Sequence, residues 1–271
     1  EVVLQSSGPA GTLLELLDQE PFGLLRDIGV DAQTLDGKSE TTIRASFPVN
    51  PGVAIADIKV EGRIRVTDMR SKGVLGGWDI SGGTLLLGLT DKALDAKGDI
   101  LVAGVPARIS WQRIFNAAAD RQPPARLTAT LDASDRDMLG LSLNHMVQGE
   151  VPVVLTLQQD GQGQTTAQIE ANLGSAELLI ETMAWRKAPG RPAVLQSNIA
   201  RTKDGHIELQ NFKIIGDDIS LDGSVTLDAR NKLRAFNFPA FAVNVLTKLE
   251  MQGRMRDHGV LPARARPQPI D

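Results

Sequence analysis

From Ile58 to Thr67 the chain alternates. Ile58, Val60, Gly62, Ile64 and Val66 are apolar or glycine, while Lys59, Glu61, Arg63, Arg65 and Thr67 are charged or polar. A period of two predicts a β-strand with one dry and one wet face, because successive side chains point to opposite sides of the pleat. The pattern returns in nearly every segment down to Leu227, with Gly, Asp-Gly or Pro between the runs. Leu85, Leu87 and Leu89 fall on one expected dry face, followed by Ile100 and Val102 and then by Ile109 and Trp111. Turns are expected at Gly82-Gly83, Thr90-Asp91-Lys92 and Gly104, so neighbouring strands should pair antiparallel as hairpins.

Helical signals are few. Gly8-Pro9 leads to Thr12 as the expected N-cap of a Leu-rich turn, and Pro21 starts a second short helix ending near Ile28. Gln112–Ala119 reads as a helical interlude and Ser134–Leu139 as a short helix. The second series of strands runs from Gly149 through Thr165–Leu173, Ala176–Thr182, Ala193–Ala200, His206–Phe212 and Ile219–Asp228. The order predicts a mainly β chain: a long twisted antiparallel β-meander curled into a hydrophobic groove, with a few short helices. Residues 1–112 form the helical pair and first meander; residues 113–271 continue the same groove as one elongated unit.

Composition changes the picture in one respect. Aromatic residues make up 4% of the chain, with no Tyr and no Cys, so the apolar content is mostly Leu, Val, Ile and Ala. Slim aliphatics on the dry faces fill a compact core less readily than aromatics do. They line a channel for acyl chains well. Scarce aromatics and a net charge of -4 argue against sugar, single-stranded nucleic-acid and phosphate-backbone binding. Without cysteine there are no disulfides, no thiolate chemistry and no Cys-bound zinc. No uncharged apolar run reaches the roughly 18 residues that span a bilayer. Glu1-Val2-Val3-Leu4 reads like the middle of a strand, so the sequence is expected to be an internal fragment.

Reactive constellations do not emerge. His145, His206 and His258 lie far apart, and none sits in an HExxH or Ser-His-Asp setting. Asp217-Asp218 and Asp222-Gly223 read as hairpin turns, and Asp135 and Asp137 as cap or turn residues. Gly73–Gly83 lacks the lysine and following helix of a phosphate loop. Lys59, Arg63, Arg65 and Arg70 read as a solvated face interleaved with Glu61 and Asp68. The reading is therefore a non-enzyme with no metal and no cofactor.

Three stretches carry a resemblance. Leu85-Leu86-Leu87-Gly88-Leu89 through Lys97-Gly98-Asp99-Ile100 to Gly104-Val105-Pro106-Ala107-Arg108-Ile109-Ser110-Trp111 is one; Leu35–Glu40 and Ile219–Asp228 are the others. Together they resemble the AsmA-like family, in particular the large bacterial members related to YhdP and TamB, over about residues 12–253. The resemblance implies a periplasmic β-groove on a protein anchored in the bacterial inner membrane, conducting phospholipids towards the outer membrane, with no catalytic residues. Acyl chains are then expected against Ile58, Val60, Ile64, Val66, Leu87, Ile100 and Val102 in the first meander. In the second they are expected against Val153, Leu155, Ile169, Leu221 and Val225. The alternative is an envelope assembly module that binds other proteins through its sheet edges.

Overall fold

A computed structural model describes residues 1–18, 35–48, 59–75, 78–141, 143–162, 164–181, 184–202, 204–229, 231–243, 247–256, 259–260 and 266–267. The protein is mainly β, a curled antiparallel meander with two short helices, which is the class the alternation predicts. It divides into two compact units, residues 1–127 with 158–164 and residues 128–157 with 165–271.

In unit 1, hydrogen-bonded neighbours are chain neighbours. Strands β1 (Val2–Pro9), β2 (Asp36–Ser46), β3 (Lys59–Leu75), β4 (Trp78–Thr90), β5 (Ala93–Val102) and β6 (Val105–Ile114) pair antiparallel in that order. Their register fixes the faces. Thr41, Ile64, Leu87, Ala96 and Trp111 stand opposite one another from β2 to β6, and so share one face. Helix α1 (Ala10–Asp18) follows β1 and packs beside β1 and β2.

The hairpins close as their chemistry requires. Thr90 Oγ1 accepts from the amides of Lys92 at 3.2 Å and Ala93 at 3.0 Å, holding the β4–β5 turn. Ala103 and Gly104 have φ of 49° and 88°, so the two-residue β5–β6 turn twists with its strands. Gly82-Gly83, expected as a turn, is instead a bulge inside β4, where the register to β5 shifts between Ser81 and Thr84. A Cβ on Gly83, whose φ is +82°, would lie 1.8 Å from the Asp99 carbonyl oxygen, so only glycine fits the approach of β5.

The Leu-rich helix expected after Gly8-Pro9 forms, but its start differs, and the helical interlude expected at 112–119 does not begin as one. The Leu-rich helix begins at Ala10, which puts Thr12 inside it and not at its cap. Residues 112–114 stay in β6 because the buried side chain of Gln122 acts as a surrogate strand. Its Oε1 accepts from the Ile114 amide at 2.8 Å, and its Nε2 donates to the carbonyls of Ile114 at 2.9 Å and Ala117 at 3.0 Å. The expected helix from Pro21 to Ile28 lies outside the described residues.

Unit 2 departs further from a plain meander. Strand β7 (Ala125–Leu131) crosses the boundary between units and leads to α2 (Ala133–Met138). A reciprocal capping box starts α2: the Asp135 amide donates to Asp132 Oδ1 at 2.8 Å, and the Asp132 amide to Asp135 Oδ2 at 3.0 Å. Then come β8 (Val147–Gln148), β9 (Val151–Gln159), β10 (Thr165–Asn172), β11 (Glu177–Ile180), β12 (Trp185–Lys187), β13 (Ala193–Arg201), β14 (Ile207–Gly216), β15 (Ile219–Leu227), β16 (Leu233–Val243) and β17 (Thr247–Arg256), with two-residue strands at Gly259–Val260 and Arg266–Pro267.

Of the segment 176–182, expected as the next strand of the meander, the strand Glu177–Ile180 leaves it. Strand β10 pairs directly with β13, Ala171 opposite Leu195, while β8, β11 and β12 form a separate three-stranded sheet. This small sheet contributes Leu178 and Trp185 to one buried cluster with Val151, Leu221 and Val225 of the large sheet and Leu173 just after β10. The scarce aromatics gather there too. Phe212 lies 5.8 Å from Phe238, and Phe238 stacks on Phe236 at 5.3 Å, with Phe212 in the cluster and the other two against it.

Two buried cations tie this arrangement together, with no carboxylate partner among the described residues. Arg136 is 3% exposed; it donates to the carbonyls of Leu131, Gly149 and Val147 and to Asn144 Oδ1, at 2.8 to 3.1 Å. Lys187 is 2% exposed, and its ammonium donates to the carbonyls of Ala176 at 2.8 Å, Ala188 at 3.2 Å and Gly174 at 3.4 Å. Burial holds the Lys187 pKa below the ordinary lysine value of 10.5, because it penalises the charged form.

The unfolded chain therefore binds this proton more tightly than the folded one. The penalty is fully present below the lowered folded value and fades as pH rises towards 10.5. Stability of unit 2 is expected to rise with pH across that alkaline window. Lys187→Met should flatten the slope, as read by urea unfolding at stepped pH; an unchanged slope would contradict the assignment. On the outer side of the same small sheet, Glu177 is held below the usual carboxylate range by its two-pronged hydrogen bond from Arg186, at 2.6 and 3.0 Å.

Candidate functional site

The register brings most of the first-meander candidates onto one surface. Ile64 and Val66 are 2% and 6% exposed, Ile100 and Val102 are 3% and 4%, and Val60 and Leu87 are half-buried. All six share the dry face of unit 1, since Val60 pairs with Ala45, Ile100 with Ala107, and Val102 with both Ile80 and Val105. The intervening Lys59, Glu61, Arg63 and Arg65 are exposed on the other face. Ile58 lies outside the described residues.

Sequence reasoning placed Leu89 on this face but left out other deeply buried members, Leu94 and Val105. Leu94 is 1% exposed, Leu89 and Val105 are 2%, and Ala96 and Ala107 are also buried. The alternation in Ala93-Leu94-Asp95-Ala96-Lys97 carried that signal. Gly62 explains part of the packing: a Cβ there would stand 3.0 Å from Leu89 Cβ and 3.5 Å from Ile43 Cγ1, so those side chains close over the glycine.

Coverage is uneven along the face. Leu85, Leu87, Ile109 and Trp111 are half-buried. On β1 the same face holds Val2 and Leu4, which are 55% and 54% exposed. Among the described residues, no second sheet lies on this face, in contrast to unit 2.

The five second-meander candidates are not equivalent. Leu221 and Val225 are buried in the closed cluster with Trp185, and Val153 packs against that cluster. Leu155 on β9 and Ile169 on β10 remain half-buried. The unit 2 candidates thus divide between a covered core and a partly open surface.

A separate concavity opens on the polar face of unit 1. It has a volume of about 660 Å³ and is bordered by β1 to β4, among others by Gln5, Ser7, Thr42, Arg63, Arg65 and Leu86. Leu86 is 51% exposed amid charged neighbours.

The histidines form no centre. His145 is exposed; His206 is half-buried, with Nε2 against Arg234 and Nδ1 buried with no hydrogen-bond partner among the described residues. Among the described residues, no group of three or more His, Asp or Glu is placed to hold a metal ion. No helix among the described residues is long and apolar enough to cross a membrane. The chain matches no known family model, no curated protein and no solved structure.

Proposed function

We propose that this chain is a segment of a lipid-binding and lipid-transfer groove, with acyl chains lying against the dry face of unit 1. The observation that carries the reading is that face itself. It is a mainly aliphatic surface across six strands, buried at Ile64, Leu89 and Leu94, half-buried at Leu87 and more than half exposed at Leu4 and Val2 on β1. Each methylene buried against it contributes about 0.8 kcal/mol, so affinity needs no specific polar contact and selectivity among acyl chains is low. The resemblance to AsmA-like proteins supports a place in the periplasm, on a protein anchored in the inner membrane, moving phospholipids between the two membranes.

A photoreactive residue tests this directly. Placed at Leu87, it is expected to crosslink to lipid that copurifies with the protein; at Glu61, on the opposite face, it is expected to give none. Lipid-free protein by native mass spectrometry, or equal crosslinking at both positions, would remove the reading.

One observation favours the rival, an assembly module. β1 is an outer edge strand of the described sheet, and Val2, Val3 and Leu4 are more than half exposed on both of its faces. Such an edge recruits a further strand readily. Under that reading Val3→Lys abolishes partner capture and leaves lipid content unchanged.

A further inference from the structure

The arginines of β3 read in the sequence as a solvated face, yet two of them border the 660 Å³ concavity. By register, Gln5, Thr42, Arg63 and Gly88 form one cross-strand row, and Ser7, Glu40, Arg65 and Leu86 form the next. Both rows belong to the polar face. Ser6, Thr41, Ile64 and Leu87, which belong to the other face by register, also border the concavity. A volume of this size falls within the range of roughly 300–1,000 Å³ typical of small-molecule sites.

Three features define what it accepts. Neither Arg63 nor Arg65 makes an ion pair or side-chain hydrogen bond among the described residues. Leu86, directly across from Arg65, is a large exposed aliphatic where its strand neighbours on that face are Thr84 and Gly88. Beside it, a Cβ on Gly88 would meet nothing within 4 Å, which leaves open space in front of Arg63. Glu40 is the one acid on the border; it faces Arg65 in the register, but no ion pair joins them.

We propose that this concavity binds a phosphate monoester carrying an apolar stem, the phosphate on Arg63 and Arg65 and the stem on Leu86. Residues two apart on a strand project to the same side about 7 Å apart. Two planar guanidinium forks at that spacing embrace a dianionic phosphate, which each matches in bidentate fashion. A dianion outweighs the single charge of Glu40, whereas a carboxylate only balances it. Arg63, Arg65 and Leu86 lie on the face opposite to the one proposed for acyl chains, while Leu87 and Ile64 of that face also border the concavity. Monoester binding weakened in Arg63→Gln with the lipid crosslink at Leu87 retained separates the two readings. The monoester has two sources, the headgroup of a phosphatidic acid or a soluble organophosphate.

Calorimetric titration of the whole chain tests the proposal with monomeric dihexanoyl phosphatidic acid, hexyl phosphate, inorganic phosphate and dihexanoyl phosphatidylcholine. Both monoesters are expected to bind, more weakly as salt rises. Arg63→Gln and Arg65→Gln should each weaken them about tenfold, and Leu86→Ser should erase a roughly tenfold preference over inorganic phosphate. All three side chains are exposed, so an unchanged circular-dichroism spectrum and melting temperature are expected for each variant. Tighter binding of the phosphatidic acid than of hexyl phosphate points to the lipid source, and equal binding to the soluble one; both support the site. Equal binding of the phosphatidylcholine, full affinity in the doubly substituted protein, or no binding of either monoester would overturn it.

Discussion

Arg136→Met is expected to destabilise unit 2 by about 3–5 kcal/mol. The guanidinium is 3% exposed and holds three main-chain carbonyls plus the Asn144 amide oxygen. Methionine fills much of the volume but satisfies none of these acceptors. Leaving a buried acceptor unpaired costs about 1–3 kcal/mol, and regaining the desolvation energy of the cation offsets part of the sum. Arg136→Lys should recover only a fraction, since one ammonium does not reach acceptors spread over β7, β8 and the loop beyond it. Trp185, buried in the unit 2 cluster, reports the transition by fluorescence in a protein with Trp78→Phe and Trp111→Phe. A loss under about 1 kcal/mol in urea would show that the hub is dispensable.

The second large effect concerns a single step along β3. Ile64→Asp places an unpaired carboxylate on a face where Ile64 is 2% exposed, between Thr41 and Leu87. The expected loss is about 4 kcal/mol or more, enough to unfold a domain of ordinary stability. Arg65→Asp, one residue on, lands on the exposed face and should cost no more than about 1 kcal/mol, mostly through repulsion with Glu40 opposite. Thermal unfolding followed by circular dichroism compares the two. Equal losses would mean that the alternation does not separate a dry from a wet side.

That alternation was legible because it is a property of single residues in a fixed local geometry. Ile64 against Arg65, Leu94 against Asp95 and the β5–β6 turn at Ala103-Gly104 all follow from local chemistry. What stayed hidden depended on partners distant in sequence. Gly82-Gly83 looks like any glycine turn until the Asp99 carbonyl is placed against it. The departure of β11 and β12 from the meander, which covers Leu221 and Val225, is decided by packing on the large sheet and not by their own pattern.

Buried cations are harder still. Arg136 and Lys187 carry the residue types most often found in water. Apart from Asn144 Oδ1 on Arg136, their partners are main-chain carbonyl oxygens, which every residue has, so no spacing or motif marks them. The β3 arginines show the reverse case. Read as a charged face they carry no further information; the exposed Leu86 across from them becomes meaningful only once the register is known.

From β4 to β6 the connections in unit 1 are two residues long, Asp91-Lys92 and Ala103-Gly104, and each strand pairs with the one just before it. Such a topology keeps contact order low for an all-β architecture. Each new strand closes a small loop onto an edge already present, on the microsecond scale of hairpin formation. The stretch from β4 to β6 can therefore grow strand by strand while the chain is still emerging, with the last strand made serving as the template for the next.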